Sequence, residues 1–262
     1  MTAGTNYSVR DEIRDYWSAR AETFDLSPGH EIFSEAERAA WHALIVRHLG
    51  RGDGRKAIDL ACGTGVVSHL MHDLEFDVTG LDWSEAMLDK ARAKSRLRGS
   101  RIRFVMRDAE TTGEEKSSYD VMITRHLVWT LVDPAAAFAE WFSLLKPGGR
   151  LLIVDGDFVT QHWYRVLRGW VQRVWSLVAK TKPDRMVEFR QQYKNVMAQL
   201  YFGKGARAPE VVRLLEAAGF APVVVDTSLG AIHLAQSRHM SLDKVLDRTI
   251  QHRYAICATK PG

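Results

Sequence analysis

Between residues 58 and 68 the sequence reads Ile-Asp-Leu-Ala-Cys-Gly-Thr-Gly-Val-Val-Ser, an apolar run that enters a Gly-x-Gly turn and leaves as a helix. Glycines are needed where a chain turns sharply or where its backbone must touch a ligand without an intervening Cβ. A dinucleotide fingerprint asks for a third Gly or Ala three positions after Gly65, and position 68 is Ser. Asp59, four residues before Gly63, would repel a pyrophosphate and attract an ammonium. Asp82 closes the next apolar run, 17 residues after Gly65, where a carboxylate accepts hydrogen bonds from both hydroxyls of a ribose. Asp108 follows the third run and suits the exocyclic amine of adenine, with the Ala109 backbone N–H meeting a ring nitrogen. Met87 and Trp83 offer the base an apolar face. Adenosine carrying an amino-acid tail satisfies all of these groups.

Those residues must be held by an α/β scaffold. Apolar runs near 56–61, 76–81, 101–106, 119–124, 150–155, 221–226 and 252–258 alternate with helical stretches at about 65–74, 84–97, 134–145 and 208–218, a pattern that predicts a mostly parallel seven-stranded sheet with helices on both faces. Asp133 and Pro134 open the third of those helices as N-cap and first-turn residues, and Gly148 and Gly149 turn the chain into the fifth strand. Helices near 9–22 and 33–49 precede the first strand. The expected organisation is one folding domain: residues 1–52 as N-terminal helices forming part of a lid, 53–158 and 208–262 as the core, and 159–207 as a helical cap inserted between them. Within that cap, Trp163, Val166, Leu167, Trp170, Val171, Val174, Trp175 and Val178 form one apolar helical stripe, and Met186, Phe189, Tyr193, Val196, Met197, Leu200 and Tyr201 a second.

With 262 residues, 46% hydrophobic and 26% charged, the chain is long and apolar enough to bury a substantial core, which excludes disorder. Its two cysteines, Cys62 and Cys257, imply no disulfide framework and fit a cytoplasmic location; the polar first thirty residues predict no secretory leader, and no apolar run is long enough to span a membrane. The net charge of +4 hides an asymmetry: residues 159–207 hold ten Lys or Arg against Asp184 and Glu188.

The ensemble of DLACGTG at 59–65, LDWSEAM at 81–87, RDAE at 107–110, YDVMIT at 119–124 and LKPGGRLLIVD at 145–155 resembles the class I S-adenosylmethionine-dependent methyltransferases over roughly residues 56–158. The resemblance implies a Rossmann-like sheet whose last strand is antiparallel, a terminal pair of strands near 221 and 252, S-adenosyl-L-methionine as cofactor and S-adenosyl-L-homocysteine as product. It also implies that YWSAR at 16–20 closes over the cofactor, with Arg20 near its carboxylate. Residue chemistry and resemblance together assign the cofactor to Tyr16, Arg20, Asp59, Ala61, Gly63, Gly65, Asp82, Trp83, Met87, Asp108, Ala109, Glu110 and Arg125.

Methyl transfer needs nucleophile, methyl and sulfur held collinear and dry, so no universal catalytic side chain is required. His126, which follows the fourth strand, is the first candidate for a general base, set against an equal expectation that it is a structural histidine. Trp129, Asp155, His162 and Trp163 are candidates to meet the substrate, although Asp155 and Asp157 suit loop hydrogen bonding better than catalysis. His69 and His72 share a helix face with no third ligand nearby, so no metal is expected and a partly exposed face is the preferred reading. The expected acceptor is a small molecule, apolar or aromatic, methylated at N, O or C. Docking of RNA or protein on the basic cap is the runner-up, weakened because the aromatics occupy the apolar stripe. A non-catalytic cofactor-binding protein is the third reading, and a homodimer through the cap is considered.

Overall fold

The computed structural model describes residues 8–158, 196–198 and 200–262, and elements are numbered along those residues. Two helices, α1 (Val9–Arg20) and α2 (Glu35–Leu49), precede β1 (Lys56–Leu60), α3 (Val66–Asp73), β2 (Asp77–Asp82), α4 (Glu85–Arg98), β3 (Arg103–Met106), β4 (Tyr119–Arg125), α5 (Pro134–Leu144) and β5 (Leu145–Gly156). After the cap region come α6 (Ala208–Ala217), β6 (Val223–Asp226), α7 (Gly230–Ser237), α8 (Leu242–Ile250) and β7 (Arg253–Thr259).

The seven strands form one sheet in the order β3-β2-β1-β4-β5-β7-β6. All pairings among β1 to β5 are parallel, and β7 runs antiparallel to both β5 and β6. Successive strand residues point to opposite faces, and both members of such pairs are apolar and buried: Met122 and Leu151 enter the layer with Phe138, Trp141 and Leu214, whereas Ile123 and Leu152 enter the layer with Trp41, Ile45 and Leu70. This pattern fixes a sheet covered on both sides. Chain order reverses between β1 and β4, where the Thr124 hydroxyl donates to the Leu60 carbonyl at 2.9 Å, and ligand crevices of open α/β sheets form at such a switch point.

Asp133 caps α5 by accepting the Ala136 N–H at 3.1 Å with Pro134 in the first turn, and Ser84 caps α4. Three expectations need correction. β5 begins at Leu145, directly after α5, so Gly148 and Gly149 lie inside a strand whose register with β4 shifts between Tyr119 and Val121. The last two strands pair antiparallel as expected, but two helices, α7 and α8, lie between them where none was expected. His69 is buried at 3% exposure, not on an exposed face.

Residues 159–195 of the expected cap, with His162 and Trp163, lie outside the described residues. Its end is described: Val196, Met197 and Leu200 of the second stripe are buried against Ile13 and Tyr16 of α1. Among the described residues no helix is long and apolar enough to cross a membrane.

Candidate active site

The ends of β1, β2, β3 and β4 open on one cavity, about 960 Å³ counting the part open to solvent. Ala61, Cys62 and Gly63 line it from the first loop, Asp82, Trp83 and Met87 from the second, Arg107 to Glu110 from the third, and Arg125 to Leu127 from the fourth.

The glycine loop is shaped by left-handed backbone at alternate residues: φ is 54° at Ala61, 55° at Gly63 and 81° at Gly65. Gly63 turns its N–H toward β2 and donates to Asp82 Oδ2 at 2.8 Å, while Asp82 Oδ1 accepts the Ser84 N–H at 2.9 Å. Burial pushes the Asp82 carboxyl up to about 6, against the pull of these backbone donors. Asp59 is buried, accepts the Ser68 hydroxyl at 2.6 Å, and is pushed by burial up to about 7. Gly65 does not line the cavity; it caps α3, and a Cβ there would lie 3.0 Å from Phe104 Cζ and 3.1 Å from Ala91 Cβ, so its smallness serves helix packing.

The third loop is tied from two sides. The Trp141 indole N–H donates to the Ala109 carbonyl at 2.7 Å, and Glu110 accepts the backbone N–H groups of Val132 and Asp133 at 3.0 and 2.9 Å. Arg10 of α1 ion-pairs with Asp108 and, at 3.1 Å, with Glu110. The carboxylate expected to face adenine alone therefore also holds α1, and Glu110 is chiefly a tie between loops.

Tyr16 and Arg20, the residues of α1 expected to close over the cofactor, are not the ones that reach the cavity. Tyr16 packs with Ile13 and Leu200, and Arg20 donates to the Tyr16 hydroxyl at 3.0 Å; neither lines the cavity. Trp17, one residue and about 100° further round the helix, does. Phe24 and His30 stack with centroids 4.2 Å apart and complete this wall. Thr64 donates to Asp25 at 2.6 Å, and Lys94 bridges Asp25 and Glu31 at 2.9 and 2.5 Å, pinning residues 24–31 over the glycine loop.

On the fourth strand, Arg125 Nη2 approaches the His30 carbonyl at 3.4 Å, while Nη1 is shielded from solvent and has no hydrogen-bond partner among the described residues. His126 adopts φ of 60°, donates its N–H to the Val154 carbonyl, and packs edge-on against Phe158 at 5.0 Å. Burial, then the charges of Arg253 and Arg125, push its imidazole well below the usual range, so it is neutral at physiological pH. Trp129 does not line the cavity; its indole donates to the His126 carbonyl at 3.0 Å. Asp155 is likewise structural, accepting the N–H groups of Val128 and Gly156, both at 2.8 Å. Among the described residues no group of three His, Cys, Asp or Glu side chains is placed to hold a metal ion.

Comparison with known proteins agrees with this geometry. The chain is 28% identical over 145 residues to the demethylmenaquinone methyltransferase of Renibacterium salmoninarum, covering 55% of this chain and 59% of that one. It is 31% identical over 197 residues to that of Clavibacter sepedonicus, covering 73% and 76%. The chain thus spans less than two thirds of the first of these relatives. A Haemonchus contortus phosphoethanolamine N-methyltransferase, solved with phosphomonomethylethanolamine and S-adenosylhomocysteine, superimposes with a TM-score of 0.68 at 16% identity over 97% of this chain and 60% of that one, a likeness of fold. The profile of the methyltransferase domain family matches residues 51–204, and the chain belongs to that family.

Proposed function

We propose that the chain transfers a methyl group from S-adenosylmethionine to a small-molecule acceptor. The observation that carries this reading is Asp82: its carboxylate receives the Gly63 N–H and lines the same cavity as Asp59, Ala109 and Arg125, so four strand ends converge on one space. The lining suits that ligand. Asp59 and Asp82, which form no ion pair among the described residues, favour a cationic sulfonium and ammonium, and Arg125 Nη1, without a hydrogen-bond partner among those residues, suits the ligand's carboxylate. Asp82 would hold the ribose, Asp108 and Ala109 the adenine, Met87 and Trp83 its face, and Asp59 the ammonium. Tyr16 and Arg20 would act at one remove, by seating Trp17.

When bound, the cofactor supplies an electrophilic methyl carbon: the acceptor's electron pair forms the new bond while the C–S pair passes to sulfur, which leaves as a neutral thioether. Trp17, Phe24 and His30 would exclude water from the bound cofactor and acceptor. Neutral His126 can accept a hydrogen bond from the acceptor's departing proton, which then passes to solvent. A cavity walled by Trp17, Phe24 and His30 favours a small molecule over RNA or protein. The relatives named for demethylmenaquinone make an aromatic, apolar acceptor the first class to assay. A homodimer through 159–207 and a cytoplasmic location are expectations from the sequence alone.

Incubating the chain with methyl-labelled S-adenosylmethionine and fractionated metabolite extract should label a small molecule and leave bulk tRNA unlabelled. Label in tRNA or protein alone would refute the small-molecule assignment.

A further inference from the structure

His126 lines not only the main cavity but two others. One is bounded by Trp41, Asp155, His233, Arg248 and Arg253. The other, about 530 Å³ counting its open mouth, is bounded by His30, Met240, Lys244, Arg248, Gln251 and Arg253, with no carboxylate among the described residues. In the first, Asp155 already spends both oxygens on backbone N–H groups.

Among the described residues no carboxylate forms an ion pair with these arginines, although the charges of Asp155 and Glu37 act on Arg253 and Arg248 from further off. Arg248 is 8% exposed; among the described residues its Nε is shielded without a hydrogen-bond partner, and Nη1 meets the Met240 sulfur at 3.6 Å. The loop through Gly29 passes directly over this guanidinium: φ is +91°, and a Cβ would lie 2.7 Å from Nη2. Arg253 donates from Nε and Nη2 to the neutral Gln251 carbonyl at 3.1 and 2.7 Å and lies over the Phe158 ring. Burial, then the neighbouring guanidinium charges, push Arg253 down to about 9 and Arg248 to about 10, so both stay charged at neutral pH and repel each other. Secluded guanidinium groups with free donors are stabilised by an oxyanion.

We infer that the chamber lined by Lys244, Arg248 and Arg253 receives an anionic group of the methyl acceptor, a carboxylate or a phosphate, while the acceptor's reacting end passes His126 into the main cavity. That the anion belongs to a methyl acceptor rests on the methyl-transfer reading; the anion site itself does not.

The test is calorimetric titration of the full chain with inorganic phosphate and, separately, with benzoate, each with and without S-adenosylhomocysteine. At least one anion should bind, and Arg248→Gln and Arg253→Gln should each weaken it by about tenfold or more, with S-adenosylhomocysteine affinity within about twofold of wild type. Preference for phosphate indicates a phosphate ester, and preference for benzoate a carboxylic acid. If Arg248→Gln does not fold, Arg253→Gln against Arg253→Lys carries the comparison, the lysine restoring part of the affinity. Absence of binding in both arms, or binding that neither substitution weakens, overturns the site. Arginine-dependent anion binding without S-adenosylhomocysteine binding would support the site and refute the methyl-transfer reading instead.

Discussion

The Gly63 backbone N–H donates to Asp82 Oδ2 at 2.8 Å, joining the turn after β1 to the end of β2 across 19 residues of chain. One carboxylate therefore fixes the turn and faces the cavity. Asp82→Ala should weaken S-adenosylhomocysteine binding by about 1–3 kcal/mol, because it removes the ribose acceptor and leaves the Gly63 and Ser84 donors unpaired. Calorimetry checks this, and unchanged affinity would show that the ribose lies elsewhere.

The two loop glycines should respond differently. Gly65→Ala combines left-handed backbone with a Cβ pressed on Phe104 and Ala91, whereas Gly63→Ala meets nothing nearer than Phe24 at 3.8 Å. We expect Gly65→Ala to destabilise by about 2–4 kcal/mol and Gly63→Ala by about 1–2 kcal/mol. Chemical denaturation ranks them; equal losses would deny the packing role of Gly65.

Asp59 makes cofactor binding pH-dependent. Its carboxyl, pushed up to about 7, is largely protonated at pH 6, and an incoming ammonium favours the charged form. Binding should release a proton and tighten as pH rises from 6 to 8, by up to about tenfold. Titrations in buffers of different ionisation enthalpy would reveal the proton, and affinity that falls with rising pH would contradict the placement.

Much of this site is readable in sequence because its acids end apolar runs. Asp82 and Asp108 are recognisable by where strands must stop, and alternating glycines mark the turn. Arg10 is not: its partner Asp108 lies 98 residues away, and on an amphipathic helix it looks like any solvated arginine. Tyr16 and Arg20, four apart, share one helix face, and only knowing what α1 packs against reveals that Trp17 takes the cavity side. The left-handed backbone at Ala61 and His126 leaves no trace in residue type, since neither is glycine.

The Arg10 contact yields its own expectation. Arg10→Ala should speed amide hydrogen exchange across Val9–Arg20 while exchange in β1, β4 and β5 stays slow, since the ion pairs hold α1 to the third loop and contribute nothing inside the sheet. Unaltered exchange in α1 would mean that packing on Val196, Met197 and Leu200 suffices.

His126→Ala should lower turnover by about tenfold or more while leaving S-adenosylhomocysteine affinity nearly unchanged. Because burial keeps the imidazole neutral, the wild-type turnover profile should show no histidine ionisation between pH 6 and 8. Retained turnover would make His126 purely structural.

Most directly, S-adenosylhomocysteine and NAD can be titrated in parallel into the purified chain in a calorimeter. The account predicts saturable single-site uptake of S-adenosylhomocysteine, abolished or strongly weakened in Asp82→Ala, and no uptake of NAD. Uptake of NAD with none of S-adenosylhomocysteine or S-adenosylmethionine would contradict it.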